Sequence, residues 1–264
     1  MHVHHADVVD VLTLTTPFSQ TTMASKKDVK ALTTQPKKKS GGIVSNPSIE
    51  KNRRRQLHAK IANDLGLEAK LDTGNSRLYV GTIDALNLSD NLVKTIQELD
   101  LPRHHPIKVF NAICHPARDC QFFSDDAKHY SFARSKAEAK PLTSELLVLL
   151  NNVNTKFQDR YNGILVNRYT KLTDNINAHS DDERELGDSG VVAIVFGANR
   201  MFRIIRKYRG DDGKLKTKKE LEISLPNGSL VWMEGDFQKE FKHEVPALKG
   251  EDGVRISFTF RVHR

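Results

Sequence analysis

Beyond position 163 apolar and polar residues alternate with a period of two in a series of short runs. Side chains at i and i+2 share one face of a strand, so this period predicts β-structure with one face buried. The runs are short, at 164–169, 176–179, 191–196, 201–207, 221–225, 229–233 and 254–262. Gly197-Ala198-Asn199, Gly210-Asp211-Asp212-Gly213 and Pro226-Asn227-Gly228 fall between several of them and carry the residue types of tight turns. Roughly eight short strands joined in this way predict a two-sheet jelly roll, a double-stranded β-helix with a funnel between its sheets.

Upstream the pattern lengthens to the helical period. Leu88, Leu92, Val93, Ile96 and Leu99 form one stripe over 87–99, with Ser89 or Asn87 as cap. Pro141 is expected to open a second helix through 153, with Leu142, Leu146, Leu149 and Leu150 on its apolar face. A basic helix over 49–65, capped by Ser48 and stopped near Gly66, and a short strand at 76–80 complete the reading. Both leucine stripes are expected to buttress a sheet. Residues 1–48 are rich in Ser, Thr, Lys, Gly and Pro and have no apolar period long enough to bury a face. The expected class is therefore α+β: a double-stranded β-helix core over 49–264 with buttressing helices, behind a disordered basic N-terminal extension at 1–48.

Charge sharpens this division. Of the net +8, residues 1–60 supply +7, because they hold eleven Lys/Arg against four acids. The folded part is not globally basic, so a polyanionic partner must be met by a local patch and the tail. Lys37-Lys38-Lys39 and the cluster from Lys51 to Arg55 stand eleven residues apart. This pattern reads either as a bipartite nuclear import signal or as a plain basic tail for phosphates. Arg200 to Lys219 holds nine basic residues against Asp211 and Asp212, a second candidate phosphate grip or simply a soluble hairpin. Cys114 and Cys120 are too few for a disulfide framework, and no apolar run approaches a membrane span. A monomer is the expected state.

The chemistry-bearing residues cluster in the β region. His179-Ser180-Asp181 places an imidazole and a carboxylate two positions apart, and His243 follows sixty-two positions beyond Asp181. On a strand such a pair shares a face, and two nitrogens with one oxygen can cover one face of a metal ion. In Arg255-Ile-Ser-Phe-Thr-Phe-Arg261, Ile256, Phe258 and Phe260 alternate with Arg255, Ser257, Thr259 and Arg261. Two guanidiniums on one strand face suit a dicarboxylate, or else mark a solvated edge strand.

Taken with Asn167-Arg168-Tyr169 and the run from His179 to Glu185, these motifs resemble the AlkB family of Fe(II)- and 2-oxoglutarate-dependent dioxygenases. The similarity is greatest to its DNA-repair branch, homologues 2 and 3, with homologue 2 the nearer. It covers 108–264 well and begins loosely near Leu71. The resemblance implies that His179, Asp181 and His243 bind iron. It implies that Asn167, Tyr169, Arg255, Thr259 and Arg261 hold 2-oxoglutarate. It places Tyr130, Phe132, Asp182 and Glu183 in a pocket for the damaged base, with Arg118 near its mouth. Phe110 would fill the gap left by a flipped base, although by itself it is as readily an ordinary buried strand phenylalanine, and bare aromatics such as Tyr130 and Phe132 are more often core residues.

The implied activity is oxidative demethylation of bases such as 1-methyladenine and 3-methylcytosine in alkylated DNA or RNA. It would consume O₂ and release formaldehyde and succinate. The sequence departs from the duplex-DNA pattern in two places. Asn111 follows Phe110 where that enzyme has glycine, and the loop over 244–253 sets Lys249 among Glu244, Glu251 and Asp252 where that enzyme is basic. Two rivals stay open: a hydroxylase of RNA, protein or a small molecule using the same centre, and a nucleic-acid-binding module with a silent metal site.

Overall fold

The computed structural model describes residues 47–264 except 104–106, 110–111, 115, 127–128, 133–134, 182–188, 250–252 and 264. Nothing is described of the side chains of 47, 104–115 and 127–137. These residues lie in the second of two compact units, Ser45–Arg264. The extension expected at 1–48 falls outside the described residues but for its last two positions.

Helices α1 (Pro47–Asp64), α2 (Asp90–Gln97) and α3 (Ser144–Phe157) precede most of the strands, and a short α4 (Phe237–Glu240) sits among them. The strands are β1 (Glu68–Asp72), β2 (Ser76–Thr82), β3 (Ile107–Val109), β4 (Ala112–Cys114), β5 (Asp119–Phe123), β6 (His129–Phe132), β7 (Ser135–Glu138) and β8 (Gly163–Tyr169). They continue as β9 (Ile176–His179), β10 (Val191–Gly197), β11 (Arg200–Arg209), β12 (Leu215–Leu225), β13 (Ser229–Gly235), β14 (Phe241–Val245) and β15 (Arg255–Arg261). A seven-stranded sheet runs β1-β2-β13-β10-β15-β8-β5, and a four-stranded sheet runs β12-β11-β14-β9. Two small ribbons, β3-β4 and β6-β7, stand apart from these sheets.

The caps explain where the helices begin. Ser89 Oγ accepts from the Leu92 amide at 3.3 Å and starts α2. Thr143 Oγ1 does the same for Leu146 at 3.3 Å, so α3 begins at Ser144 rather than at the expected Pro141. A hydroxyl that satisfies an orphan amide defines the start better than a proline two residues earlier.

Two apolar cores follow from the alternation of the large sheet. On the helix side, Ile256, Phe258 and Phe260 of β15 join Leu146, Leu149, Val153 and Phe157 of α3 and Trp232 of β13. Full burial of each such side chain contributes on the order of 2 kcal/mol. Between the sheets, Leu78, Val191, Val195, Phe202, Ile204, Val231, Phe241 and Val245 pack together. Arg255, Ser257, Thr259 and Arg261 therefore face the funnel, because their apolar neighbours take the other face. Gly197, at φ +86°, ends β10, and a Cβ there would lie 2.1 Å from the Val254 carbonyl oxygen. Only glycine lets the chain entering β15 approach this closely.

Candidate metal and co-substrate site

The funnel holds a cavity of about 900 Å³, open mouth included, lined by His179, Asp181, His243, Asn167, Tyr169, Arg118, Arg255, Thr259 and Arg261 among others. Register brings the two imidazoles together: His243 of β14 pairs with His179 of β9, and their ring centroids lie 4.3 Å apart. Asp181 completes the set. One ligand atom from each of the three residues lies within 4.8 Å of the others. His179 Nε2 is 3.5 Å from Asp181 Oδ1, and His243 Nε2 is 3.7 Å from Asp181 Oδ2. His179 Nδ1 meets the Asn177 carbonyl at 2.8 Å. A carbonyl can only accept, so Nδ1 carries the proton and Nε2 turns its lone pair toward Asp181.

Asp181 itself is not on a strand, contrary to the reading of His-x-Asp as a strand-borne pair, because β9 ends at His179. Its backbone amide is held instead by Gln238 Oε1 at 2.9 Å. Arg261 Nη2 donates to Asp181 Oδ1 at 2.6 Å, which leaves Oδ2 with no hydrogen-bond partner among the described residues. Burial alone would raise the Asp181 carboxyl, but Arg261, His243 and His179 outweigh it and hold the group far below the usual carboxylate range. Burial, followed by His179, pushes His243 down to about 3, against the pull of Asp181. Both groups are therefore in their metal-binding forms at neutral pH.

The second half of the site is cationic. Arg255 pairs in register with Tyr169, and its guanidinium lies 5.1 Å from that ring's centroid. Ser257 pairs with Asn167, whose Oδ1 accepts from Arg118 Nε at 2.7 Å. Arg255 is 3% exposed, and its Nε and Nη1 find no partner among the described residues. Unpartnered buried N–H donors are costly, and a carboxylate is the group that satisfies a guanidinium fork best. The residues present thus fit both expected groups: two imidazoles and an acid for a ferrous ion, and a buried cation beside Asn167 and Tyr169 for a 2-oxo dicarboxylate.

The remaining expectations divide. Arg118, expected near the mouth of the base pocket, is buried beside Asn167. Phe110, Asp182 and Glu183 lie outside the described residues, and of Tyr130 and Phe132 only the backbone, on β6, is described. The basic hairpin β11–β12 is less free than its charge count implies. Arg200 is 1% exposed and donates to the Asp174 and Pro246 carbonyls, each at 2.7 Å. Arg203 bonds Glu222 at 2.6 Å and Glu244 at 2.5 Å, and Arg206 lies 3.2 Å from Glu220. Lys207 turns inward to Ser180 and Gln238. Toward the exposed tip stand Arg209, Lys214, Lys216, Lys218 and Lys219, of which Lys216 lies 3.4 Å from Asp212 and Lys219 3.4 Å from Glu222. Cys120, Ser257, Phe202 and Gln238 were not singled out from the sequence. Ser257 was legible from the alternation of β15, whereas Cys120 reaches the cavity only through its register with Asn167. Among the described residues, no helix is long and apolar enough to cross a membrane.

Comparison with known proteins follows the same line. The family model described as the 2OG-Fe(II) oxygenase superfamily matches residues 82–261. Alpha-ketoglutarate-dependent dioxygenase alkB homolog 3 of Bos taurus is 33% identical over 135 residues, 50% of this chain and 47% of that protein. DNA oxidative demethylase ALKBH2 of Homo sapiens is 30% identical over 142 residues, 53% of this chain and 54% of that protein. ALKBH2 of Arabidopsis thaliana is 34% identical over 119 residues, 39% of this chain and 38% of that protein. The chain spans about half the length of the curated relatives it matches, and homologues of both kinds match at similar identity. By the match over 82–261 and the ligand set it encloses, the chain belongs to the 2OG-Fe(II) oxygenase superfamily; it is similar over about half its length to AlkB homologues, and its site residues fit Fe(II) and 2-oxoglutarate.

Proposed function

We propose that the protein removes alkyl groups from damaged nucleic-acid bases, of the 1-methyladenine and 3-methylcytosine type, as a DNA-repair demethylase. The observation that carries this reading is the convergence of His179, Asp181 and His243 on the cavity that also holds Arg255 with its unpartnered donors. Relatives named DNA oxidative demethylase point to the substrate class.

In this reading His179, Asp181 and His243 hold the iron. Asn167, Tyr169, Arg255, Thr259 and Arg261 hold 2-oxoglutarate. Iron with 2-oxoglutarate and O₂ supplies the oxidising power that hydroxylates an N-methyl group, after which the product sheds formaldehyde. The chain's own residues orient and insulate. Arg261 fixes Asp181 Oδ1 and leaves Oδ2, 3.7 Å from His243 Nε2, without a hydrogen-bond partner among the described residues. Arg255 anchors a carboxylate deep in the cavity, against the ring of Tyr169. Phe202, 5.4 Å from the His243 ring, and Val245 and Met233 keep water from the centre. Tyr130, Phe132, Asp182 and Glu183 are proposed to receive the base, Arg118 to stand beside them, and Phe110 to fill the vacated stack. Lys214, Lys216 and Lys218 at the hairpin tip are proposed to meet phosphates. The basic tail over 1–48, with the cluster from Lys51 to Arg55, is proposed to direct the protein to the nucleus, which a fluorescent fusion lacking Lys37 to Lys39 tests by losing nuclear signal.

The internal pairing of Arg203 and Arg206 trims the phosphate-binding surface, and this favours a second reading, a hydroxylase of protein or a small molecule. One panel separates the two. Formaldehyde is measured from 1-methyladenine and 3-methylcytosine in single- and double-stranded DNA and RNA, with Fe(II), 2-oxoglutarate and ascorbate, at fixed salt. Release dependent on both iron and 2-oxoglutarate supports demethylation. Oxidised protein with no release from any oligonucleotide overturns it, as does tight DNA binding with no 2-oxoglutarate consumed.

A further inference from the structure

Asp181 lies beyond the end of β9, so no strand ladder fixes it. A short polar network does so instead. Gln238 Oε1 accepts the Asp181 amide at 2.9 Å, while its Nε2 is oriented by Met233 Sδ at 3.6 Å. Ser180 Oγ donates to the Phe241 carbonyl at 2.7 Å. Lys207 Nζ, from β11, donates to Ser180 Oγ at 3.0 Å and to the Gln238 carbonyl at 2.8 Å. Gln238 belongs to α4, which leads directly into β14 and His243. One four-residue segment thus grips the Asp181 backbone and launches the strand of the distant histidine.

We propose that Gln238, supported by Ser180 and Lys207, is a positioning residue that sets the Asp181 carboxylate for metal binding and couples it to His243. It touches no ligand atom and acts through the Asp181 backbone amide, while Arg261 fixes the carboxylate from the other side. The inference rests on His179, Asp181 and His243 being the metal ligands. Groups that orient metal ligands typically change affinity by roughly 10–100-fold when lost.

The test is Mn(II) titration of the full chain, read by the resonance of free Mn(II), for the wild type, Gln238→Ala, Gln238→Glu and Lys207→Met. Gln238→Ala should weaken Mn(II) binding roughly 10–100-fold, with the KM for 2-oxoglutarate within about threefold and kcat lowered. Gln238→Glu keeps an acceptor for the Asp181 amide and should restore binding to within about threefold of wild type. Lys207→Met should give a smaller loss, on the order of threefold to tenfold. Wild-type affinity in Gln238→Ala, or equal loss in Gln238→Ala and Gln238→Glu, overturns the proposal. If Gln238→Ala does not fold, unchanged affinity in Lys207→Met overturns it. A wild-type chain that binds no Mn(II) overturns the metal reading itself, and the positioning role with it.

Discussion

Replacing Arg255 by methionine should stabilise the metal-free protein and at the same time disable it. The guanidinium is 3% exposed, and two of its donors have no partner among the described residues. Burial lowers its pKa, and the neighbouring cation Arg200 also disfavours the charge, though Tyr169 offsets part of this. Each unpartnered buried donor costs about 1–3 kcal/mol. The cation over the Tyr169 ring returns up to roughly 2 kcal/mol, and methionine refills most of the stem's volume. The balance favours the variant by about 1–2 kcal/mol, which for a domain of this size corresponds to a rise of roughly 2–8 °C in melting temperature. In the proposed role the same change would remove two charge-assisted hydrogen bonds to the 2-oxoglutarate carboxylate, each worth about 1.5–3 kcal/mol. The Kd for 2-oxoglutarate should therefore rise roughly 10²–10⁴-fold. Calorimetric melting in chelator gives the first quantity, and titration of 2-oxoglutarate into the Mn(II)-loaded protein gives the second. A variant that melts several degrees below wild type, or that binds 2-oxoglutarate unchanged, would refute the assignment of Arg255 as a buried anchor.

Three further outcomes follow from the site. His179→Ala should reduce formaldehyde release below detection while oligonucleotide affinity in a gel-shift assay stays within about twofold, since in the proposed role the side chain holds the metal and lies in the cavity rather than on the phosphate surface; retained turnover would remove His179 from the proposed ligand set. Because His243 is held down at about 3 in the fold, the unfolded chain binds more protons between its ordinary 6.5 and that value, so stability is full above 6.5 and falls on acidification. This costs about 2 kcal/mol by pH 5, and Asp181 adds its own loss only below its ordinary value of 3.8. The metal-free melting temperature should drop from pH 7 to 5 more steeply in wild type than in His243→Gln, and parallel curves would contradict the buried neutral imidazole. Lys216→Glu with Lys218→Glu should weaken oligonucleotide binding and flatten its salt dependence by roughly two phosphate contacts, leaving 2-oxoglutarate turnover without DNA unchanged.

Much of the fold was legible where one physical rule governed. The period of two over 254–262 placed Ile256, Phe258 and Phe260 against the helices and their neighbours toward the funnel, and β15 does this. Leu146, Leu149 and Leu150 are buried core, as their helical spacing required. The strand bearing His243 was not marked in advance, although Phe241, His243 and Val245 alternate inward there. A charged residue at every second position, Lys242 and Glu244, hid the short run. Tertiary bonds were beyond local pattern. Asp181 is placed by Gln238 from fifty-seven positions away, and Arg203 is neutralised by Glu222 and Glu244 from two other strands. Counting charges along the hairpin could not distinguish those pairs from free cations. The pairings Arg255 with Tyr169 and Ser257 with Asn167 depend on strand order, which alternation leaves open.

The central claim is that His179, Asp181 and His243 bind one ferrous ion that 2-oxoglutarate then chelates against Arg255. Anaerobic titration of the metal-free chain with Fe(II), followed by 2-oxoglutarate, tests it through the visible charge-transfer band of a 2-oxo acid on ferrous iron. The account predicts a band that saturates at one iron per chain, needs both additions, and vanishes in His243→Ala. A wild-type chain with no band, or a band of full strength in His243→Ala, would contradict it.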